Sequence, residues 1–510
     1  MLARTHAFTI DGLQTRHVSV EVDVRPGLPC FAIVGLADPA VREARERIQA
    51  AIRNSGYEFP ARRITANLAP GDVPKAGPGF DLAIACALLA ASEQLSATRL
   101  ESVALLGELA LDGAVRPAHG TLAVAQATRG AGLRTLALAG ARAHEASLVE
   151  GLDVAVARSL RSAARVLSGG AGDPPPPASA TGRRAGARAA PAADLADVRG
   201  QHHAVRAILT AAAGGHNCLL SGPPGTGKTM LAQRVPSLLP PLSRAEAVEV
   251  TRIHSLTGSA VERLLERRPF RAPHHSITVA GLVGGARRGW VGEVVLAHHG
   301  VLFLDELSEF SRAALEALRQ PLEDGSVSIV RARHHEVYPS RFMLLAATNP
   351  CPCGFAGDGD RCRCGEGELA RHRRRLSGPL LDRIDLLVSL QRAGERELRA
   401  GALMSSAQAR ERVLQARERQ AARLGAQGVS LNAHMDARML REHVRLDERG
   451  ERMMLAARTG GLLSARAEHR VLRVARTVAD LRGGDDVRAR DLGAALALRT
   501  EGGVDRGWPA

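Results

Sequence analysis

The stretch Ser221-Gly-Pro-Pro-Gly-Thr-Gly-Lys-Thr229 constrains this chain more than any other. It fits the phosphate-loop pattern G-x-x-x-x-G-K-[ST], with Gly222, Gly227, Lys228 and Thr229 at the defining positions. Glycines let backbone N–H groups curl round the β- and γ-phosphates, the lysine adds a point charge, and the threonine hydroxyl offers a Mg²⁺ position. Pro223, Pro224, Gly225 and Thr226 complete the loop, and Met230 follows it. A short apolar run, Cys218-Leu-Leu220, reads as the strand before it; Met230-Leu-Ala-Gln-Arg-Val235 reads as a helix whose positive end faces the phosphates. The expectation is an α/β domain with a parallel sheet that binds ATP with Mg²⁺.

Composition sharpens this. Of 68 lysines and arginines only Lys75 and Lys228 are lysine, so arginine has replaced lysine nearly everywhere except where a small phosphate cage needs an ammonium. The net charge of +15 favours a polyanionic partner, nucleic acid first, although an arginine-rich composition alone also makes a chain basic. Aromatic residues are 3%, which argues against base stacking and for phosphate contacts. No apolar run approaches the ~20 residues that cross a bilayer. The N-terminus lacks a signal-peptide core, so a cytoplasmic protein without a membrane partner is expected.

Residues 1–168 read as a first α+β unit. Val18-Ser-Val-Glu-Val-Asp-Val24 alternates as a strand with one buried face, and Asp38-Pro39 starts a helix that ends near Gly56. A second helix is predicted over 82–91. Val73-Pro-Lys-Ala-Gly-Pro-Gly-Phe80 and Gly107-Glu-Leu-Ala-Leu-Asp-Gly-Ala-Val-Arg-Pro117 resemble two stretches of the proteolytic domain of Lon-type proteases. Gly79 stands where that resemblance puts the serine nucleophile and Leu122 where it puts the lysine, so no peptidase activity is expected. The resemblance implies an inherited ribosomal-S5-like fold used for assembly or partner contact. Residues 169–193, with Pro174-Pro-Pro-Pro177, read as a flexible linker between independently moving units.

The ATPase core is expected over 194–392. Val301-Leu-Phe-Leu-Asp-Glu306 is a buried strand that delivers two acids to its C-terminal edge, Asp305 for Mg²⁺ and Glu306 for the attacking water. Phe342-Met-Leu-Leu-Ala-Ala-Thr348 is another, ending at Asn349, which resembles the sensor-1 residue of AAA+ ATPases. Arg383, within Leu380-Leu-Asp-Arg-Ile-Asp385, resembles the arginine finger that reaches a neighbour's ATP in a ring; the alternative is an arginine salt-bridged to the flanking acids.

His274-His-Ser276, Gly300-Val-Leu-Phe-Leu-Asp-Glu306, Asn349-Pro-Cys-Pro-Cys-Gly354 and Ser377-Gly-Pro-Leu-Leu-Asp-Arg-Ile-Asp385 together resemble the YifB/ComM family over nearly the whole chain. These are bacterial Mg-chelatase-like AAA+ ATPases with an N-terminal Lon-like domain. The resemblance implies a hexameric helicase that migrates DNA branches in natural transformation, with recombination proteins among its partners. Trp290-Val-Gly-Glu293 departs from the family's Pro-Gly-Glu turn.

Two inserts are candidate DNA contacts under that resemblance. One is the glycine-rich loop ending in Arg287 and Arg288; the other is a hairpin over 325–335 bearing Arg331 and Arg333, whose arginines are otherwise merely solvated. Cys351-x-Cys353 and Cys362-x-Cys364 suggest a structural Zn²⁺ in a loop too poor in apolar residues to fold alone; the alternative is a reduced flexible loop. Cys30, Cys86 and Cys218 read as core residues.

Residues 393–510 read as a helical lid. Ser464-Ala-Arg466 resembles sensor 2, which would place Arg466 against the γ-phosphate, with Arg470 as the competing candidate. The reading is an ATP-driven DNA motor. Its rivals are a chelatase-type chaperone that remodels a protein partner, and a scaffold whose assembly ATP regulates.

Overall fold

The computed structural model describes residues 1–36, 38–75, 77–96, 98–176, 193–257, 263–285, 291–331, 334–356, 361–376, 378–399, 401–460 and 463–500. The N-terminal unit is built on a mixed seven-stranded sheet in the order β3-β4-β2-β1-β5-β8-β9. Its strands are β1 (Leu2–Asp11), β2 (Gln14–Arg25), β3 (Cys30–Val34), β4 (Arg63–Ala69), β5 (Val103–Leu106), β8 (Thr135–Leu138) and β9 (Asp153–Val156); β6 (Glu108–Leu109) and β7 (Val115–Arg116) form a separate small hairpin. The alternation in β2 does what the sequence predicts, burying Val18, Val20, Val22 and Val24 on one face. Asp38 caps the helix Pro39–Asn54 by accepting the Val41 N–H at 2.8 Å. The helix Asp81–Ala91 is apolar all round after Asp81 and is buried along its whole length.

Cys30 is exposed, contrary to its reading as a core residue, because β3 is an edge strand of the sheet. Cys86 and Cys218 are buried as expected, and burial pushes the Cys86 thiol up to about 12. The linker reading needs a similar correction. Asp173 pairs with β9, accepts the Arg158 N–H at 2.8 Å and meets the Arg165 guanidinium at 2.6 Å, so the chain stays on the N-terminal unit past residue 168. Pro177 and the rest of that segment to 192 lie outside the described residues.

The second unit is a parallel five-stranded sheet in the order β11-β12-β15-β10-β16. Its strands are β10 (Cys218–Ser221), β11 (Phe270–Arg271), β12 (Val301–Leu304), β15 (Met343–Thr348) and β16 (Leu386–Ser389). The predicted hairpin forms from β13 (Ser326–Arg331) and β14 (His334–Pro339). The central strands β10, β12 and β15 are buried throughout, as parallel strands covered on both faces must be. The C-terminal helices Ser406–Leu424 and Ala465–Arg482 pack onto the sheet, where Val413, Val471 and Val474 join Cys218, Leu220 and Val301 in one apolar cluster, while Leu424, Met435 and Leu440 form a smaller cluster within the C-terminal region.

The two units are not independent in this arrangement. The helix Arg244–Leu256 bridges them: Ser255 donates to Glu145, Arg252 donates to the Leu13 carbonyl at 2.9 Å, and Arg244 pairs with Glu150. Glu145 is buried and also accepts from Arg142 at 2.9 Å and from the Leu122 N–H at 3.1 Å. Leu13, at the β1–β2 turn, packs in one cluster with Val327 and Tyr338 of the hairpin.

Candidate nucleotide site

The loop Gly222–Thr229 leaves the C-terminal end of β10 and enters the helix Lys228–Leu238. Gly222 is required by close approach: a Cβ there would lie 2.4 Å from the carbonyl oxygen of Leu390. Gly225 and Gly227 take φ of +79° and +89°, which side chains rarely adopt. Thr226 closes the turn by donating to the Pro223 carbonyl at 2.9 Å. The Lys228 ammonium donates to the carbonyls of Gly222 (2.5 Å) and Pro223 (3.0 Å) and to Asn349 Oδ1 (3.1 Å). Burial pulls its pKa below the usual lysine range, while Asp305 and Glu306 oppose that shift.

The neighbouring strands bring the rest. Thr229 donates to Asp305 Oδ2 at 2.7 Å, which sets two hard oxygen donors side by side, as a Mg²⁺ site requires. Glu306 sits directly after Asp305 with φ +53° and ψ +51°, a left-handed conformation unusual for a glutamate and typical of strained functional turns. His275 Nδ1 lies 3.5 Å from Glu306 Oε2, and the His274 ring packs on His275 at 4.0 Å between centroids. No spacing signalled that pairing, because the two histidines lie outside any regular element and reach Glu306 only through the fold. Asn349 is fixed from behind, its carbonyl accepting from the buried His372 at 2.9 Å.

Arg383 is held at the other edge of the sheet. It precedes β16 as Asn217 precedes β10, and Asn217 donates to its carbonyl at 3.0 Å. Lys228 lies beyond the opposite end of β10, so at least the strand's length, about 10 Å, separates the two. The Arg383 guanidinium pairs with Glu323 rather than with the flanking Asp382 or Asp385, and its Nε is buried without a hydrogen-bond partner among the described residues. Arg466 departs from its expected place. It lines a cavity of about 210 Å³ with Glu323, Asp382, Arg383, His469 and Arg470, so it accompanies Arg383 and not the phosphate loop of its own chain. The helix Ala465–Arg482 runs along the N-terminal edge of the sheet, where Thr477 bonds His216 at 2.8 Å and Arg470 meets Asp385 at 3.6 Å.

Cys351, Cys353, Cys362 and Cys364 converge, their sulfurs all within 4.8 Å of one another. Of the candidate DNA residues, Arg287, Arg288 and Arg333 lie outside the described residues, as does Trp290; Arg331 ends β13, with its side chain also outside them.

This fold and this set of loop ends define an AAA+ ATPase of the magnesium-chelatase type. The family described as "Magnesium chelatase, subunit ChlI" matches residues 194–398, "Subunit ChlI of Mg-chelatase" matches 20–141, and "Magnesium chelatase, subunit ChlI C-terminal" matches 403–499. The chain is 41% identical to the competence protein ComM of Haemophilus influenzae, over 96% of this chain and 95% of that one. It is 42% identical to YifB of Escherichia coli over 99% and 98% of the two chains, and 44% identical to a Mycobacterium tuberculosis protein over 98% and 99%. The chain belongs to the YifB/ComM family. Among the described residues no helix is long and apolar enough to cross a membrane.

Proposed function

We propose that this protein is a homo-hexameric motor that hydrolyses ATP to move DNA, as a helicase or branch-migration factor. The observation that carries the reading is the placement of Arg383 across the sheet from Lys228. One chain then offers a phosphate loop on one face and a guanidinium on the other, and only a head-to-tail ring completes every site. Arg466, beside Arg383, would serve the same neighbouring nucleotide.

In each site Gly222–Met230 would hold the ATP phosphates and Lys228 would leave the loop carbonyls for the γ-phosphate. Thr229 and Asp305 would hold Mg²⁺, which when bound neutralises charge on the β- and γ-phosphates. Glu306 would take the proton of the attacking water, Asn349 would position it, and the neighbour's Arg383 would stabilise the charge that develops. DNA contact through Arg287, Arg288, Arg331 and Arg333 is supported by the basic balance of the chain and by the hairpin's formation from β13 and β14. The name of the competence protein ComM supports a place in competence. The four cysteines are proposed to hold a structural Zn²⁺.

The test is ATP-dependent resolution of a mobile DNA junction by wild type and by Lys228→Ala. Strand products from wild type alone are expected. ATP hydrolysis by a formed ring without products would favour the protein-remodelling reading.

A further inference from the structure

The cysteine loop does more than fold back on itself. Sγ of Cys351 lies 3.3 Å from that of Cys353 and 3.8 Å from that of Cys362, and Cys353 lies 3.8 Å from Cys362. Four thiolates about 2.3 Å from a tetrahedral zinc are spaced by about 3.8 Å; Cys362 stands at that spacing from Cys351 and Cys353, those two lie closer together, and Cys364 lies within 4.8 Å of all three. The Ala356 N–H donates to Cys351 Sγ at 3.2 Å, the kind of bond that supports a charged sulfur. The first half of the loop is a tight turn, closed by the Gly354 N–H donating to the Cys351 carbonyl at 3.0 Å.

That turn is pressed against the nucleotide site. Gly354 has φ +85°, and a Cβ on it would stand 2.8 Å from Cδ of Pro224 and 3.9 Å from Cγ of Asn349. Pro224 is in the middle of the phosphate loop, and Asn349 is the residue that Lys228 touches. One wall of the phosphate cradle is therefore backbone of the cysteine loop. Its anchors include the four thiols, the turn itself and the Phe355 ring under the Arg392 guanidinium at 5.7 Å. Among the described residues of the loop only Cys351 and Gly354 are buried, so its position depends on what clamps the sulfurs.

We propose that the four-thiolate site is coupled to the nucleotide site through the Gly354–Pro224 contact, so that zinc occupancy sets the affinity of the phosphate loop for ATP. The proposal rests on the zinc reading given above. By thermodynamic reciprocity, bound ATP must tighten zinc binding by the same factor. Loss of the metal, or oxidation of the thiols, would then release the nucleotide from a site whose own residues are unchanged.

The experiment uses the full chain purified without chelators, with zinc measured by mass spectrometry and a fluorescent ATP analogue as the nucleotide probe. About one zinc per chain is expected, and stripping it should weaken analogue binding about tenfold or more, with recovery on adding zinc back. In Pro224→Ala the ratio of affinities with and without zinc should fall towards one, whatever the absolute affinity. Circular dichroism confirms that the stripped chain is folded. If it is not, equilibrium competition for zinc by a chromogenic chelator, with and without the analogue, makes the reciprocal measurement on wild type and Pro224→Ala. Stoichiometric zinc with unchanged nucleotide affinity, or zinc competition indifferent to nucleotide, overturns the coupling and leaves the zinc reading standing. Well under one zinc per chain overturns the zinc reading, and the coupling with it.

Discussion

The Lys228 ammonium and the Asn349 side-chain oxygen meet at 3.1 Å, joining the loop after β10 to the end of the adjacent strand β15. Whatever displaces Lys228 towards a phosphate also frees the Asn349 amide, so charge placement and water placement are linked in one contact. Asn349→Ala is expected to leave nucleotide binding within a few-fold of wild type and to lower kcat on the order of a hundredfold. Steady-state ATPase kinetics beside equilibrium binding separate the two effects; equal losses in both would count against a positioning role.

Lys228→Ala and Glu306→Gln should fail differently. The first removes the cradle's cation and is expected to abolish tight ATP binding. The second keeps the cradle and should bind ATP while hydrolysing it at least about a hundredfold more slowly. Filter binding and phosphate release on both variants check this, and normal turnover in either sinks the assignment.

Arg383→Ala should cost about a thousandfold in kcat, as loss of an arginine finger does. Mixing it with Lys228→Ala offers a sharper test. If sites are shared between neighbours, the mixture regains a fraction of wild-type ATPase, because some interfaces pair an intact loop with an intact finger. Activity no greater than the sum of the two separate variants would place Arg383 in its own chain's site.

Glu145 accepts from Arg142 inside the protein and from Ser255 across the unit boundary. Glu145→Ala leaves the Arg142 charge buried without this carboxylate and should destabilise the chain by about 3–5 kcal/mol. Chemical denaturation followed by tryptophan fluorescence and by circular dichroism would register it. A change below 1 kcal/mol would mean that water replaces the carboxylate.

The carboxyl of Glu249 is held down at about 2, first by His298 at 3.4 Å and also by His299 at 3.1 Å. An acid with a depressed folded pKa stabilises the fold fully above its ordinary value of 4.5, and that contribution disappears as pH falls towards 2. Glu249→Gln should therefore flatten the acid side of the stability profile between those limits. An unchanged slope in urea titrations across that range would refute the contribution.

The placement of consecutive residues was legible in the sequence, since the glycine-rich loop lies between a strand and a helix and the acid-ended strand brings Asp305 to Thr229. The strands β10, β12 and β15, the hairpin and the helix after Asp38 fall where their periodicity puts them. What local pattern does not encode is which loop ends share an edge. The resemblance of Ser464-Ala-Arg466 to sensor 2 names a γ-phosphate but not whose, and the helix that carries Arg466 crosses the N-terminal edge and brings it to Arg383. His275 belongs to a stretch that carries the family resemblance, but neither it nor His372 shows in local pattern what it touches, because each reaches Glu306 or Asn349 from a distant part of the chain. Cys30 misled for a related reason, since apolar neighbours say nothing about whether a strand ends a sheet.

The near-absence of lysine has a use outside mechanism. Lys75 is fully buried and donates to the Pro70 carbonyl, so the folded chain offers an amine-reactive reagent only its N-terminal amine and Lys228. Covalent labelling of the native protein, read by peptide mass, thus amounts to a footprint of a single side chain, and ATP should erase it.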